Sequence, residues 1–117
     1  ADRGVPTVAL LNNPGPEGNA YECVAQNPNM LSVCSFEGSN LRTAKVQQAA
    51  ADRVPGTSVL TMNDVICPEG MCPAVMGEVL VYRQGSHLTK TFVDSTQRIL
   101  EPRLLDALES ASPDVAW

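Results

Sequence analysis

No stretch of this 117-residue chain is basic. Its eight Lys and Arg (Arg3, Arg42, Lys45, Arg53, Arg83, Lys90, Arg98 and Arg103) lie scattered against 13 Asp and Glu, for a net charge of −5. Gripping a nucleic-acid backbone takes clustered positive charge, so nucleic acid is not expected as a partner. No apolar run approaches the roughly 20 residues needed to cross a bilayer. The first residues, Ala-Asp-Arg-Gly-Val-Pro, have no signal-peptide character, so any export signal or membrane anchor is expected in a longer precursor. Internal repeats and low-complexity segments are absent. Histidine occurs once, at His87. A chain of this length makes one small domain, with less surplus stability than a longer one.

Cysteine is present in two local pairs, Cys23 with Cys34 and Cys67 with Cys72. Zinc sites favour tight Cys-x-x-Cys knuckles, which neither spacing supplies. Two disulfides in an oxidising compartment are therefore expected in preference to a four-thiolate zinc site.

Val5 to Leu11 is a short apolar run that ends in Asn12-Asn13-Pro14-Gly15-Pro16, which reads as a buried strand running into a turn-rich loop. Residues 12–38 form a stapled excursion around the first cysteine pair. Residues 40–54 have no Pro or Gly and are rich in Ala, Gln, Lys and Arg, which predicts a helix capped by Ser39 or Asn40 and stopped by Pro55-Gly56. Thr57–Thr61 and Glu78–Arg83 read as further strands. From Leu88 onward Phe92, Ile99, Leu100, Leu104, Leu105 and Leu108 recur at helical spacing, with Thr89 as cap or first-turn residue. Pro102 is expected to interrupt this helix or begin a second one. The order predicts an α/β layer with parallel strands, thin enough to read as part of a larger sheet.

Cys67-Pro68-Glu69-Gly70-Met71-Cys72-Pro73, then Gly77, Val81-Tyr82-Arg83 and His87-Leu88-Thr89 resemble the C-terminal block of SGNH-type domains. These domains are fused to bacterial membrane O-acyltransferases of the acyltransferase three family. The block there reads roughly Cys-Pro-x-x-x-Cys-Pro-x-x-x-Gly-x-x-x-Tyr-Arg-Asp-x-x-His-Leu-Thr. The earlier strand, Asn/Pro loop, spaced cysteines and helix are similar too, so the resemblance runs over about residues 5–108. It implies a flavodoxin-like three-layer α/β sandwich with parallel strands, of which this chain is the C-terminal portion. It also implies a serine esterase or O-acyl-transfer site, with His87 at the position of the histidine that takes the serine proton and returns it to the leaving oxygen. Without the motif, a lone histidine near a helix start reads as a surface or capping residue.

Two departures bear on activity. The family's acid lies three residues before the histidine, and Gln84 stands there. Neutralising the acid of a serine triad costs about four orders of magnitude in turnover; Asp64, Glu69 and Asp94 are the candidate substitutes. The family's Gly-Asp-Ser nucleophile block is missing. Ser86 adjoins His87 but projects to the opposite side if the backbone is extended, and Ser39 reads as a helix cap.

Bland readings suit the remaining features: a turn at Asn12 and Asn13, packing for Met62, Met71 and Met76, a strand-end cover for Tyr82 and Arg83. Residues 1–110 are expected to be the domain portion and 111–117 a disordered tail. The expected whole is an extracytoplasmic segment of an envelope O-acyltransferase or esterase, tethered to the membrane through a region upstream. Its partners would be the upstream half of the same domain and an acylated glycan or glycolipid. No cofactor or metal is expected, and the chain alone is expected to be inactive. The competing expectation is a non-catalytic binding or interaction module of the envelope.

Overall fold

The structure, a computed structural model, describes residues 5–38 and 41–111. In chain order it comprises β1 (Thr7–Leu10), α1 (Ala20–Gln26), a 3-10 turn (Leu31–Cys34), β2 (Phe36–Glu37), α2 (Arg42–Asp52) and β3 (Thr57–Leu60). There follow α3 (Asn63–Ile66), a 3-10 turn (Pro68–Gly70), β4 (Met71–Cys72), β5 (Val75–Met76), β6 (Val79–Leu80), α4 (Lys90–Ser95) and α5 (Gln97–Ala111). The described elements fall into two compact units: residues 5–12, 42–62 and 98–111, and residues 13–38, 41 and 63–97.

The first unit is a small mixed α/β assembly built on a parallel pair. β1 and β3 run in the register Thr7↔Thr57, Val8↔Ser58, Ala9↔Val59 and Leu10↔Leu60. Pro55 and Gly56 stop α2, and Gly56, at φ +75°, turns the chain so that its carbonyl accepts the Thr7 N–H at 3.0 Å. α2 packs on β3 and reaches β1 through Gln47. The Gln47 Oε1 accepts the Asn12 N–H at 2.6 Å, and its Nε2 donates to the Leu10 carbonyl at 3.4 Å. α5 is tied to β3 by the Ser58 hydroxyl donating to the Ala107 carbonyl, and by Arg103 Nη1 donating to the Thr61 carbonyl at 3.1 Å. Ala51, Leu60, Met62, Ala107 and Ala111 are buried here, whereas Leu10 on β1 is 58% exposed. Parallel strands are ordinarily covered on both faces; β1 is not.

The second unit is disulfide-bonded and antiparallel. Cys23–Cys34 ties α1 to the first 3-10 turn, and Cys67–Cys72 closes the second loop. β2 pairs antiparallel with β4 in the register Phe36↔Cys72 and Glu37↔Met71. Gly38 has no room for a side chain, because a Cβ there would lie 2.3 Å from the Cys72 Sγ. Cys72, Ala74, Val81, Tyr82 and Phe92 are buried, and the rings of Phe36 and Tyr82 lie 5.6 Å apart.

The third expected parallel strand is the main correction to the sequence reading. β5 and β6 form an antiparallel hairpin, Val75↔Leu80 and Met76↔Val79. Gly77, at φ +60°, is the first residue of its two-residue turn, as the twist of such hairpins favours. Val81 then donates to the Ala74 carbonyl at 2.8 Å and accepts from the Thr89 N–H at 2.9 Å, while Tyr82 bridges Leu88 antiparallel. The apolar stretch 79–83 is thus the middle of an antiparallel meander.

Pro102 neither interrupts nor begins a helix. The break falls at Thr96, which is buried and whose hydroxyl donates to the Val93 carbonyl at 2.8 Å. Pro102 is the sixth residue of α5, past the first turn, so the helix continues through it at the loss of one main-chain bond, the one to the Arg98 carbonyl. Thr89 caps α4, its Oγ1 accepting the Phe92 N–H at 3.2 Å. α2 begins at Arg42; its expected caps Ser39 and Asn40 lie outside the described residues, as do residues 112–117. Ala111 is helical and buried.

Candidate functional site

His87 stands on a hairpin whose construction follows from the two-residue period of extended chain. The His87 N–H donates to the Gln84 carbonyl at 3.0 Å and the Arg83 N–H donates to the His87 carbonyl at 2.7 Å. Gly85, at φ +54°, makes the turn between them. Arg83 and His87 are therefore directly opposite one another, and Tyr82 and Leu88 are the next pair inward. Opposed residues share a face and successive residues alternate. Tyr82 is fully buried and Leu88 half-buried, while Arg83, Gln84, Ser86 and His87 are exposed.

The turn is braced by the loop after β1. Asn13 Nδ2 donates to the Ser86 carbonyl at 2.9 Å and to the Pro14 carbonyl at 3.0 Å. Asn19 Oδ1 accepts the Gly85 N–H at 3.0 Å. The Tyr82 hydroxyl donates to the Pro14 carbonyl at 3.1 Å, and desolvation by burial pushes its pKa up to about 12. Gly15 lies against Ser86 so closely that a Cβ there would be 2.3 Å from the Ser86 Cβ.

On the exposed face, Arg83 Nη2 is 3.3 Å from His87 Nδ1. A guanidinium has no acceptor, so a hydrogen bond across this contact makes Nδ1 the acceptor, which is the arrangement of the tautomer with its proton on Nε2. A triad base needs the reverse, Nδ1–H held by an acid and Nε2 open to the serine proton. Gln84 supplies its carbonyl to the turn, and its side chain makes no hydrogen bond to the imidazole. Asp64, Glu69 and Asp94 are not among the partners of His87, and Asp94 is held by Lys90 at 2.6 Å. Ser86 spends its carbonyl on Asn13 and its Cβ on Gly15; Ser39 lies outside the described residues.

All four cysteines are in disulfides. Met62 is buried in the first unit, with its sulfur 3.9 Å from Arg103 Nη1, whereas Met71 is exposed. Among the described residues no helix is long and apolar enough to cross a membrane.

Sequence reasoning gave Arg83 and Asn13 structural readings and passed over Asn19. A signal for Arg83 was available: Val79 to Thr89 holds one cation, Arg83, and no Asp or Glu, with a Gly-containing turn between Arg83 and His87 that favours a hairpin. Family models, curated proteins and solved structures give no match to the chain.

Proposed function

We propose that this chain is the C-terminal segment of an extracytoplasmic SGNH-like domain, part of an envelope O-acyltransferase or esterase acting on a glycan or glycolipid. The observation that carries this reading is the residue block from Cys67 to Thr89. Its histidine stands exposed on a braced turn, a loop position suited to contact with a ligand. The parallel pair β1–β3 is compatible with a portion of a flavodoxin-like sheet, and the two disulfides suit an extracytoplasmic setting. In the mechanism, a serine from an upstream segment of the same domain attacks the acyl carbonyl, His87 takes its proton, and backbone amides hold the oxyanion. Arg83 must then leave Nδ1 so that the imidazole proton can move there.

The test joins the chain to the upstream segment encoded with it and follows cleavage of a small acyl ester. The joined protein should be active where the 117-residue chain is not, and His87→Ala should abolish that activity. Gln84→Asp should raise the rate, since a carboxylate stabilises the imidazolium and offers Arg83 another partner. Activity indifferent to His87→Ala removes the catalytic assignment. An inert joined protein, even with Gln84→Asp, favours the second reading, a non-catalytic envelope binding or interaction module. Arg83 Nη2 on His87 Nδ1 is the observation on that side.

A further inference from the structure

The second unit has two cations, Arg83 and Lys90. Lys90 is spent on Asp94 at 2.6 Å. Among the described residues the one side-chain partner of Arg83 is the imidazole of His87. An exposed guanidinium with no carboxylate partner among the described residues, in a chain of net charge −5, is poorly explained as a stabilising ion pair.

The hydrogen-bond inventory of the pair points one way. A guanidinium carries five N–H donors, of which the imidazole accepts from one nitrogen. By accepting at Nδ1, His87 keeps its own proton on Nε2 and so becomes a donor itself. Both side chains leave the same face of the hairpin. Donors of this kind, fork-shaped and charged, match planar carboxylate or tetrahedral phosphate oxygens.

The hairpin is also held before any ligand arrives. Asn13, Asn19 and buried Tyr82 each fix it by a hydrogen bond, and Gly15 seats Ser86. Binding there orders little besides the Arg83 side chain, which lowers its entropic cost. Gln84 matters for a separate reason: an acid at that position would neutralise Arg83 and repel an anion.

We infer that the Arg83–His87 face of the hairpin is an oxyanion-binding site, taking a phosphate or carboxylate group carried by a ligand. It needs no nucleophile, so it stands or falls in the 117-residue chain independently of the acyl-transfer reading.

The experiment titrates that chain with inorganic phosphate and, separately, with acetate, each at constant ionic strength against sodium chloride, reading amide and imidazole NMR shifts. Saturable changes confined to residues 83–88 are expected with phosphate, acetate or both, which shows which anion the face takes. Arg83→Gln should weaken the response at least about tenfold, the effect of losing one charge-assisted hydrogen bond. Arg83→Lys, which keeps the charge and loses the fork, should fall between. Arg98→Gln, an exposed arginine of the other unit, should change nothing. Shifts matched by chloride, spread over the surface, or unaltered in Arg83→Gln would overturn the inference.

Discussion

Tyr82 and Pro14, far apart in sequence, are joined by a hydrogen bond of 3.1 Å from the buried phenol to the proline carbonyl. Through this bond the hairpin bearing His87 is fixed to the loop that follows β1. The same loop adds the Asn13 and Asn19 bonds, so the exposed Arg83–His87 pair rests on a buried polar anchor.

Removing the Tyr82 hydroxyl should loosen that anchor. Tyr82→Phe is expected to cost about 1–2 kcal/mol, the usual range for a buried hydrogen bond, measured by urea unfolding. The His87 amide should exchange faster in the variant, while the first unit's amides keep their relative protection.

Alkaline pH should act through the same residue. The folded pKa of Tyr82 is raised from 10.0 to about 12, so the neutral phenol is favoured in the folded state. Its contribution is complete below the unfolded value and is lost as pH rises from 10 towards 12. Unfolding followed by circular dichroism should therefore steepen in that window, and Tyr82→Phe should remove this component. A wild-type profile identical to that of Tyr82→Phe would refute the assignment.

Gly15→Ala tests the seat of the turn. The new Cβ would lie 2.3 Å from the Ser86 Cβ and 2.7 Å from its Cα, so one of the two segments must shift. A loss of roughly 1–3 kcal/mol is expected, as for other overpacked sites. NMR shift changes should centre on Gly85, Ser86 and His87. Gly18→Ala, where nothing lies within 4 Å of the new atom, is the control.

The disulfides should show in mass and in stability. The unreduced chain should weigh about 4 Da less than the reduced one, two hydrogens for each bridge. By loop-closure entropy, Cys23–Cys34 and Cys67–Cys72 contribute about 3 and 2 kcal/mol respectively. Cys72 is fully buried, so replacing the second pair by Ser should cost more than the entropy alone. Four free thiols by intact mass would contradict both bridges.

The open side of β1 gives the last prediction. Thr7 and Leu11 donate to Gly56 and Leu60 at 3.0 and 2.8 Å, so by alternation the amides of Val8 and Leu10 face away from β3. Val8 and Leu10 should exchange faster than Thr7 and Leu11 in the isolated chain. If an upstream segment completes the sheet, joining it should slow Val8 and Leu10 selectively. Unchanged exchange in the joined protein would mean that nothing pairs with this edge.

Several elements were readable from local sequence. Pro55-Gly56 marked the end of α2 because proline cannot continue a helix hydrogen-bond ladder and Gly56 readily takes a positive φ. Thr89 could be read as a cap from its place before Phe92. The cysteine pairs lie close enough in sequence to meet without long-range help. In each case the decisive interaction spans a few residues, so composition and spacing contain it.

The direction of the strand at Val79–Arg83 was different. An apolar run looks the same whether its neighbours are parallel or antiparallel; the choice fell to the turn at Gly77 and to bonds with Ala74 and Thr89. The same non-local pairing set Arg83 opposite His87 and left Gln84 in the turn. Sequence determined which residues this chain brings to its one histidine, because they are its chain neighbours. Only the tertiary structure decided which of them faces the ring, because that depends on hairpin register and on Tyr82 finding a buried acceptor in Pro14.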